Sequence, residues 1–117
     1  MISLLCYHKC SNCKKLVKLM EEKKIDFQYR EITEENPSLE ELKEWTATSS
    51  LPLTRWMNTS GNLYREMGLA QKRKTMSEDE ILALLATDGM LVKRPILLLE
   101  DRALVGKEVW DYVEGWD

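Results

Sequence analysis

Ile2-Ser3-Leu4-Leu5-Cys6-Tyr7 is an apolar run typical of a buried β-strand, and the C-x-x-C segment Cys10-Ser11-Asn12-Cys13 follows it closely. Apolar residues recur at helical spacing after the pair and predict a helix from about residue 11 to residue 24. The first turn of a helix has unpartnered backbone N–H groups and a partial positive charge, which favour the thiolate form of a cysteine there. We therefore expect Cys10 to be a reactive thiol, and Cys13 to close a disulfide onto it or to resolve a mixed disulfide formed there.

The remaining strands follow from the same kind of pattern. Alternating apolar and polar residues over 26–32 predict a second strand, so that residues 2–32 form a β-α-β unit. Near the other end, the apolar segments 96–99 and 103–105 flank a turn and predict a β-hairpin. Apolar residues over 109–116 recur at helical spacing and predict a closing helix.

The middle of the chain has the signals of several short helices. Ser38 stands three residues before Glu41, and Ser77 stands three before Glu80, so each pair predicts a helix that begins with a capping box. No repeat or linker-like tract interrupts the order β-α-β, helical middle, β-β-α. We therefore expect one domain, residues 1–117.

Composition limits the classes of function. The chain has 117 residues, 44% hydrophobic and 32% charged, which is typical of a globular protein. It has no apolar run long enough to span a membrane and no basic leader followed by an apolar core, so neither a membrane segment nor a secretion signal is expected. Three cysteines clustered near one end are unlike a secreted disulfide framework, and a cytoplasmic location is predicted. A net charge of −3 does not favour direct nucleic-acid binding.

The same side chains allow other interpretations. A C-x-x-C pair is also half of a zinc site, but zinc needs two further ligands. The chain has one histidine, and Cys6 lies in the predicted strand, so no metal site is expected. Cys6 is predicted to be a small core residue. His8 is either a proton shuttle near Cys10 or an incidental surface residue.

Four sequence features resemble those of the arsenate reductase (ArsC) and Spx-like family. They are Tyr7, the segment 10–15, the stretch 58–65 (Asn-Thr-Ser-Gly-Asn-Leu-Tyr-Arg), and the stretch 88–96 (Asp-Gly-Met-Leu-Val-Lys-Arg-Pro-Ile). Together they span nearly the whole chain, and the likeness is greatest to a reductase-like branch with a C-x-x-C pair. The resemblance implies a thioredoxin-like α/β fold, with a mixed four-stranded sheet and a helical insert over about 34–90.

The resemblance also implies roles for single residues. Cys10 matches the reactive cysteine of the family, Arg94 the arginine beside it, and Pro95 a proline held cis opposite the active site. We predict Cys10, Cys13 and Arg94 as the catalytic residues. Asn12, Asn58 and Pro95 are the predicted substrate-binding residues. No bound cofactor is expected, and glutathione or a thioredoxin system is the implied external reductant.

One departure from the family concerns the oxyanion site. Arsenate reductases of this type use three arginines, and the matching positions here hold Arg94, Asn58 and Gly106. Two of the three are therefore absent, which leaves arsenate and a small or protein disulfide both open as substrates. Arg55, Arg65 and Lys107 lie close in sequence to these positions.

We expect a thiol-disulfide redox protein, an oxidoreductase that uses Cys10 as nucleophile and Cys13 as resolving cysteine. Its partner would be a small thiol or a protein disulfide. The alternative is an Spx-like regulator that binds the RNA polymerase alpha subunit and uses the cysteine pair as a redox switch. A redox-inert relative that keeps only the fold is a third reading.

Overall fold

The sheet has four strands, as predicted. A computed structural model describes residues 2–116. The strands are β1 (Ile2–Cys6), β2 (Phe27–Glu31), β3 (Ile96–Leu98) and β4 (Ala103–Val105). β1 is parallel to β2 and antiparallel to β3, and β4 is antiparallel to β3, so the order is β2-β1-β3-β4. The prediction of a mixed α/β sheet is therefore confirmed.

Six α-helices accompany the sheet among the described residues. They are α1 (Ser11–Glu22), α2 (Leu39–Thr48), α3 (Asn62–Glu66), α4 (Leu69–Lys72), α5 (Glu78–Leu85) and α6 (Lys107–Glu114). Short 3-10 turns occur at Leu53–Trp56, Arg73–Thr75 and Gly89–Leu91. Helices α2 to α5 follow β2 and precede β3, in the segment predicted as the helical insert. No helix in residues 2–116 is long and apolar enough to cross a membrane.

The two faces of the sheet pack against different layers because strand side chains alternate. Leu4 and Cys6 of β1 are fully buried in a cluster with residues of α1 and α6. Leu5 lies on the other face, in a cluster formed mainly by the helices between β2 and β3. The Cys6 thiol therefore points toward the helix that holds the C-x-x-C pair.

Both predicted capping boxes are present. The Ser38 hydroxyl accepts a hydrogen bond from Glu41 N at 3.1 Å, and the Ser77 hydroxyl accepts one from Glu80 N at 3.2 Å. The sequence did not predict α4 or the 3-10 turn after it. Its four residues are too few to show helical periodicity, and Gly68, with a φ of 66°, turns the chain into it.

Backbone hydrogen bonds join the insert to the segment before β3. Met57 and Val92 form an isolated antiparallel bridge, and Lys93 N donates to Trp56 O at 2.8 Å. Asn58 N donates to Leu91 O, also at 2.8 Å. These contacts fix the backbone immediately before Arg94.

Candidate active site

Cys10 lies at the N-cap of α1, where β1 and α1 are joined by a short loop. Its φ and ψ are −85° and 122°, and its carbonyl accepts the first helical bond from Lys14 N at 3.0 Å. Its own N–H donates to Tyr7 O at 3.0 Å. The residue is partly buried, and its side chain makes no capping hydrogen bond. Its sulfur is thus positioned by the backbone on both sides.

Cys13 lies one turn into α1 and is 1% exposed. Tyr7 N–H donates to its sulfur at 3.4 Å. The pKa of Cys13 falls from an ordinary value of 9.0 to about 7, and a hydrogen bond from the Cys6 thiol is the largest cause. The bonds from Tyr7 N–H and Cys10 and the charge of Arg94 also lower this pKa, whereas burial opposes them. The thiolate-stabilising donors therefore converge on Cys13.

Cys6 has a contact at the site that the sequence did not predict, because its thiol hydrogen bonds to Cys13. It is fully buried, as predicted for a core residue. Its pKa is raised, first because its thiol hydrogen bonds to Cys13 and then because burial disfavours its charged form. The signal in the sequence was the strand alternation, which places Cys6 on the face covered by α1. All three cysteines are free thiols in this structure.

Arg94 lies close enough to the cysteine pair for its charge to lower the pKa of Cys13, and the peptide bond between Arg94 and Pro95 is cis, as the resemblance implied. Arg94 Cζ lies 5.1 Å from the centroid of the Tyr7 ring. Nε and Nη1 of Arg94 are buried and have no hydrogen-bond partner among residues 2–116. Buried N–H donors without a partner are costly, about 1–3 kcal/mol each. The guanidinium group is thus available to an anion that reaches this position.

The two predicted asparagines differ in their surroundings. Asn12 is exposed in the first turn of α1, between the two cysteines of the pair. Asn58 is 8% exposed, and its Nδ2 donates to Met90 O at 3.1 Å. Its described contacts therefore join the insert to the segment before β3, and its role in substrate binding stays a prediction. Pro95 is buried, and its carbonyl accepts from Gly106 N at 2.9 Å.

The positions that could have replaced the absent arginines do not supply a second buried guanidinium. Arg55, Arg65 and Lys107 are exposed, and Arg65 donates to the Asn62 side chain. Gly106 has a φ of 63°, which favours glycine, and a side chain built there would meet the aliphatic part of Lys93 at 3.5 Å. Among these positions, Arg94 is therefore the cation whose charge acts on the cysteine pair.

His8 hydrogen bonds to Glu31 at the end of β2, and both interpretations of it, proton shuttle and incidental surface residue, stay predictions. Its Nδ1 lies 3.1 Å from Glu31 Oε1, and its backbone N–H lies 3.1 and 3.3 Å from the two carboxylate oxygens. The His8 side chain is 57% exposed and that of Glu31 only 12%. Sequence reasoning did not single out Glu31, because its partner is 23 residues away along the chain.

A cleft of about 260 Å³ lies beside the buried thiol. Its walls are Tyr7, His8, Cys13, Lys14, Val17 and Tyr29. Tyr29 is 43% exposed, so an aromatic surface borders the cleft. Within residues 2–116, no three His, Cys, Asp or Glu side chains are arranged to hold a metal ion. The arrangement is suited to thiol chemistry at Cys10 and Cys13 with an anion held by Arg94.

Comparison with known proteins gives the family. Residues 5–113 match the model of the ArsC family. The uncharacterized protein YusI of Bacillus subtilis is 44% identical over 110 residues, which cover 94% of this chain and 93% of YusI. A crystal structure of an ArsC family related protein from Bacteroides fragilis has a TM-score of 0.89 at 43% identity, with 96% of each chain covered. Its similarity supports the thioredoxin-like fold implied by the sequence.

Relatives with named activities are more distant. An arsenate reductase of Neisseria meningitidis is 30% identical over 100 residues, covering 85% of this chain and 84% of the relative. The global transcriptional regulator Spx 2 of Bacillus anthracis is 24% identical over 106 residues, covering 91% and 79%. A reductase and a transcriptional regulator are thus among the relatives of this chain, and this chain belongs to the ArsC family.

Proposed function

We propose that this protein is a thiol-disulfide oxidoreductase in which Cys10 attacks a disulfide and Cys13 resolves the adduct. One observation carries the proposal: a partly exposed sulfur at the start of α1 lies beside a buried sulfur on which thiol and N–H donors converge. A pKa of about 7 keeps roughly half of Cys13 as thiolate at neutral pH. Thiolates, not thiols, are the reactive species in exchange.

The hydrogen bond between the Cys10 and Cys13 sulfurs allows either of these two sulfurs to carry the negative charge. A proton that moves from Cys10 to Cys13 leaves the Cys10 thiolate free to attack one sulfur of the partner disulfide. The Cys10–partner bond forms, the partner S–S bond breaks, and the departing thiolate takes up a proton. Cys13, deprotonated again, attacks the Cys10 sulfur, forms the Cys10–Cys13 disulfide and releases the second partner thiol. Counted from the full dithiol, the protein loses two electrons and two protons, and the partner disulfide gains two electrons and two protons; when Cys13 starts as the thiolate, its proton has already gone to solvent and the partner takes that one from solvent.

Arg94 supplies the anion site in this cycle. Its buried donors suit a carboxylate or oxyanion on the partner, because a guanidinium group can bind either through two parallel hydrogen bonds. A small thiol such as glutathione carries carboxylates, and glutathione or a thioredoxin system would return the pair to the dithiol. A reducing cytoplasm fits this cycle, since it supplies such thiols. Arsenate remains a candidate oxyanion, although Arg94 would hold it without the other two family arginines.

A regulatory role is the second candidate, because Spx 2 is among the relatives. In that role the cysteine pair would switch binding to the RNA polymerase alpha subunit instead of turning over a substrate. A pull-down with purified alpha subunit tests it in both redox states. Binding in one state only would favour the switch, and no binding in either state would discard it.

Trapping tests the enzymatic proposal. The Cys13→Ser variant, treated with oxidised glutathione, should accumulate one glutathione on Cys10, because no resolving thiolate remains. The wild type should instead release glutathione and end as the intramolecular disulfide, and Cys10→Ser should form neither product. Intact-protein and peptide mass spectrometry distinguish the three results. A Cys10→Ser variant that still reduces the disulfide would overturn the assignment of Cys10 as nucleophile.

A further inference from the structure

Glu31, at the end of β2, is the centre of a hydrogen-bond cluster beside the redox loop. Its carboxylate accepts from His8 N–H at 3.1 and 3.3 Å and from His8 Nδ1 at 3.1 Å. It also accepts from the Tyr29 hydroxyl at 3.1 Å and from the Thr33 hydroxyl at 3.2 Å. A carboxylate in this position uses both oxygens as acceptors, which an amide side chain cannot do.

The bond to His8 N–H acts on Cys10 through a single peptide unit. The peptide group between residues 7 and 8 is planar, so its N–H and its C=O move together. Its N–H is bound to Glu31, while its C=O, that of Tyr7, accepts the Cys10 N–H at 3.0 Å. Glu31 therefore binds the N–H of a planar peptide group, and the C=O of the same group binds the Cys10 backbone N–H.

The preceding N–H group extends this control to the second sulfur. Tyr7 N–H donates to Cys13 Sγ at 3.4 Å. This N–H immediately precedes the Tyr7–His8 peptide group that Glu31 binds. The registry of the sheet places Glu31 directly opposite Cys6, so the carboxylate is anchored on a strand and not on a loop. A strand-borne group thus fixes the loop that sets the separation of the two reacting sulfurs.

Side-chain contacts join the same carboxylate to the anion-binding guanidinium. Arg94 Cζ is 5.1 Å from the Tyr7 ring centroid. The centroids of the Tyr7 and His8 rings lie 5.2 Å apart with an interplanar angle of 70°, and His8 Nδ1 hydrogen bonds to Glu31 Oε1. Contacts through the Tyr7 and His8 rings therefore link the Arg94 guanidinium group to the Glu31 carboxylate.

We infer that Glu31 is a positioning residue for the thiol pair: by binding the peptide group between Tyr7 and His8, it holds Cys10 within reach of Cys13. This inference rests on the proposed thiol-disulfide function. It assigns no contact between Glu31 and the substrate. Loss of the carboxylate frees the loop, and the effective concentration of one thiol at the other falls. We expect a fall of about tenfold, equivalent to about 30 mV in the potential of a two-electron couple.

The test is the equilibrium between the dithiol and the Cys10–Cys13 disulfide in glutathione buffers, read by mass after acid quench. Glu31→Ala should lower the equilibrium constant for disulfide formation about tenfold, and Glu31→Gln should lower it less, because its single oxygen can still accept from His8 N–H. Glu41→Gln is the matched control, since Glu41 is a half-buried carboxylate that bonds Arg30 at 2.8 Å and does not touch the loop. Its constant should equal that of the wild type.

A double-mutant cycle with His8 separates positioning from a general loss of structure. His8→Ala removes the ring and keeps the backbone N–H, so it should change the constant far less than Glu31→Ala. In the Glu31→Ala background, His8→Ala should add nothing. Urea unfolding of every variant measures the loss of stability, and Glu31→Gln decides the question if Glu31→Ala does not fold.

The possible failures are distinguishable. A wild-type chain that forms no Cys10–Cys13 disulfide overturns the proposed function and, with it, this inference. A wild type that forms the disulfide, with Glu31→Ala and Glu31→Gln matching it in equilibrium constant, overturns the inference alone. A Glu41→Gln control that lowers the constant as much as Glu31→Ala does also overturns it, because the effect would then follow stability and not position.

Discussion

Replacing Cys6 by alanine should change the ionisation of Cys13 without touching the C-x-x-C pair itself. The Cys6 thiol is the largest single cause of the lowered pKa of Cys13. It is fully buried on β1, so no water can take over the hydrogen bond in the intact core. Cys6→Ser offers the matched control, because its hydroxyl can still donate toward the thiolate.

The expected magnitude follows from the strength of that hydrogen bond. A hydrogen bond to a charged acceptor contributes about 1.5–3 kcal/mol, and a thiol is a weak donor, so we take the lower end. Loss of that lower value, about 1.5 kcal/mol, lowers the ratio of thiolate to thiol by slightly more than tenfold. With a pKa of about 7, Cys13 is about half ionised at pH 7. In Cys6→Ala, that fraction should therefore fall to about one tenth.

Residue-resolved NMR measures this ionisation. The β-carbon shift of Cys13, in reduced protein with isotope-labelled cysteine, should be followed from about pH 5 to about pH 10, a range that brackets the pKa of a free thiol. Cys6→Ala should titrate at higher pH than the wild type, and Cys6→Ser should lie between the two. Val109→Ala controls for the cavity, since Val109 is equally buried in the same cluster and offers no donor.

Two results would refute the reasoning. If Cys13 titrates in Cys6→Ala as it does in the wild type, the Cys6 thiol does not stabilise the thiolate. If Val109→Ala shifts the titration as far as Cys6→Ala does, loosened packing and not a lost hydrogen bond is the cause.

Three further perturbations test other parts of the structure. Arg94→Ala removes the buried guanidinium donors, so sulfate or arsenate should protect Cys10 from alkylation about tenfold less well; unchanged protection would place the anion elsewhere. The unfolding free energy of the reduced protein should rise between about pH 7 and about pH 9, because a thiol whose pKa is lowered on folding contributes its full stability only above its ordinary pKa, and urea titrations of Cys13→Ala should lack that rise. Ser38→Ala removes the cap of α2 and should cost about 1 kcal/mol in thermal or urea unfolding, whereas an unchanged stability would mean that Glu41 alone holds the helix start.

The fold was largely predictable because its signals are local. β1, the C-x-x-C pair and α1 follow one another within 22 residues, and each has its own pattern of apolar residues. The capping boxes at Ser38 and Ser77 locate two helices of the insert by short-range chemistry. Helix α4 escaped prediction because four residues do not establish a period.

The site was less predictable because its decisive contacts are distant in sequence. Cys10, Cys13 and Arg94 followed from the motif and the family resemblance. The hydrogen bond from Cys6 to Cys13 depends on how closely β1 packs under α1, which side-chain alternation alone does not give. Glu31 reaches His8 only because β1 and β2 pair in parallel with residues 6 and 31 opposite each other.

The most direct test of the central claim is the redox equilibrium of the wild-type protein in glutathione buffers, with peptide mapping of the disulfide. We predict a single two-electron transition that joins Cys10 to Cys13, with a potential of roughly −270 to −200 mV, the range of thioredoxin and glutaredoxins. A chain that stays fully reduced at every glutathione ratio, or one whose disulfide maps to Cys6 instead of Cys10, would contradict the account.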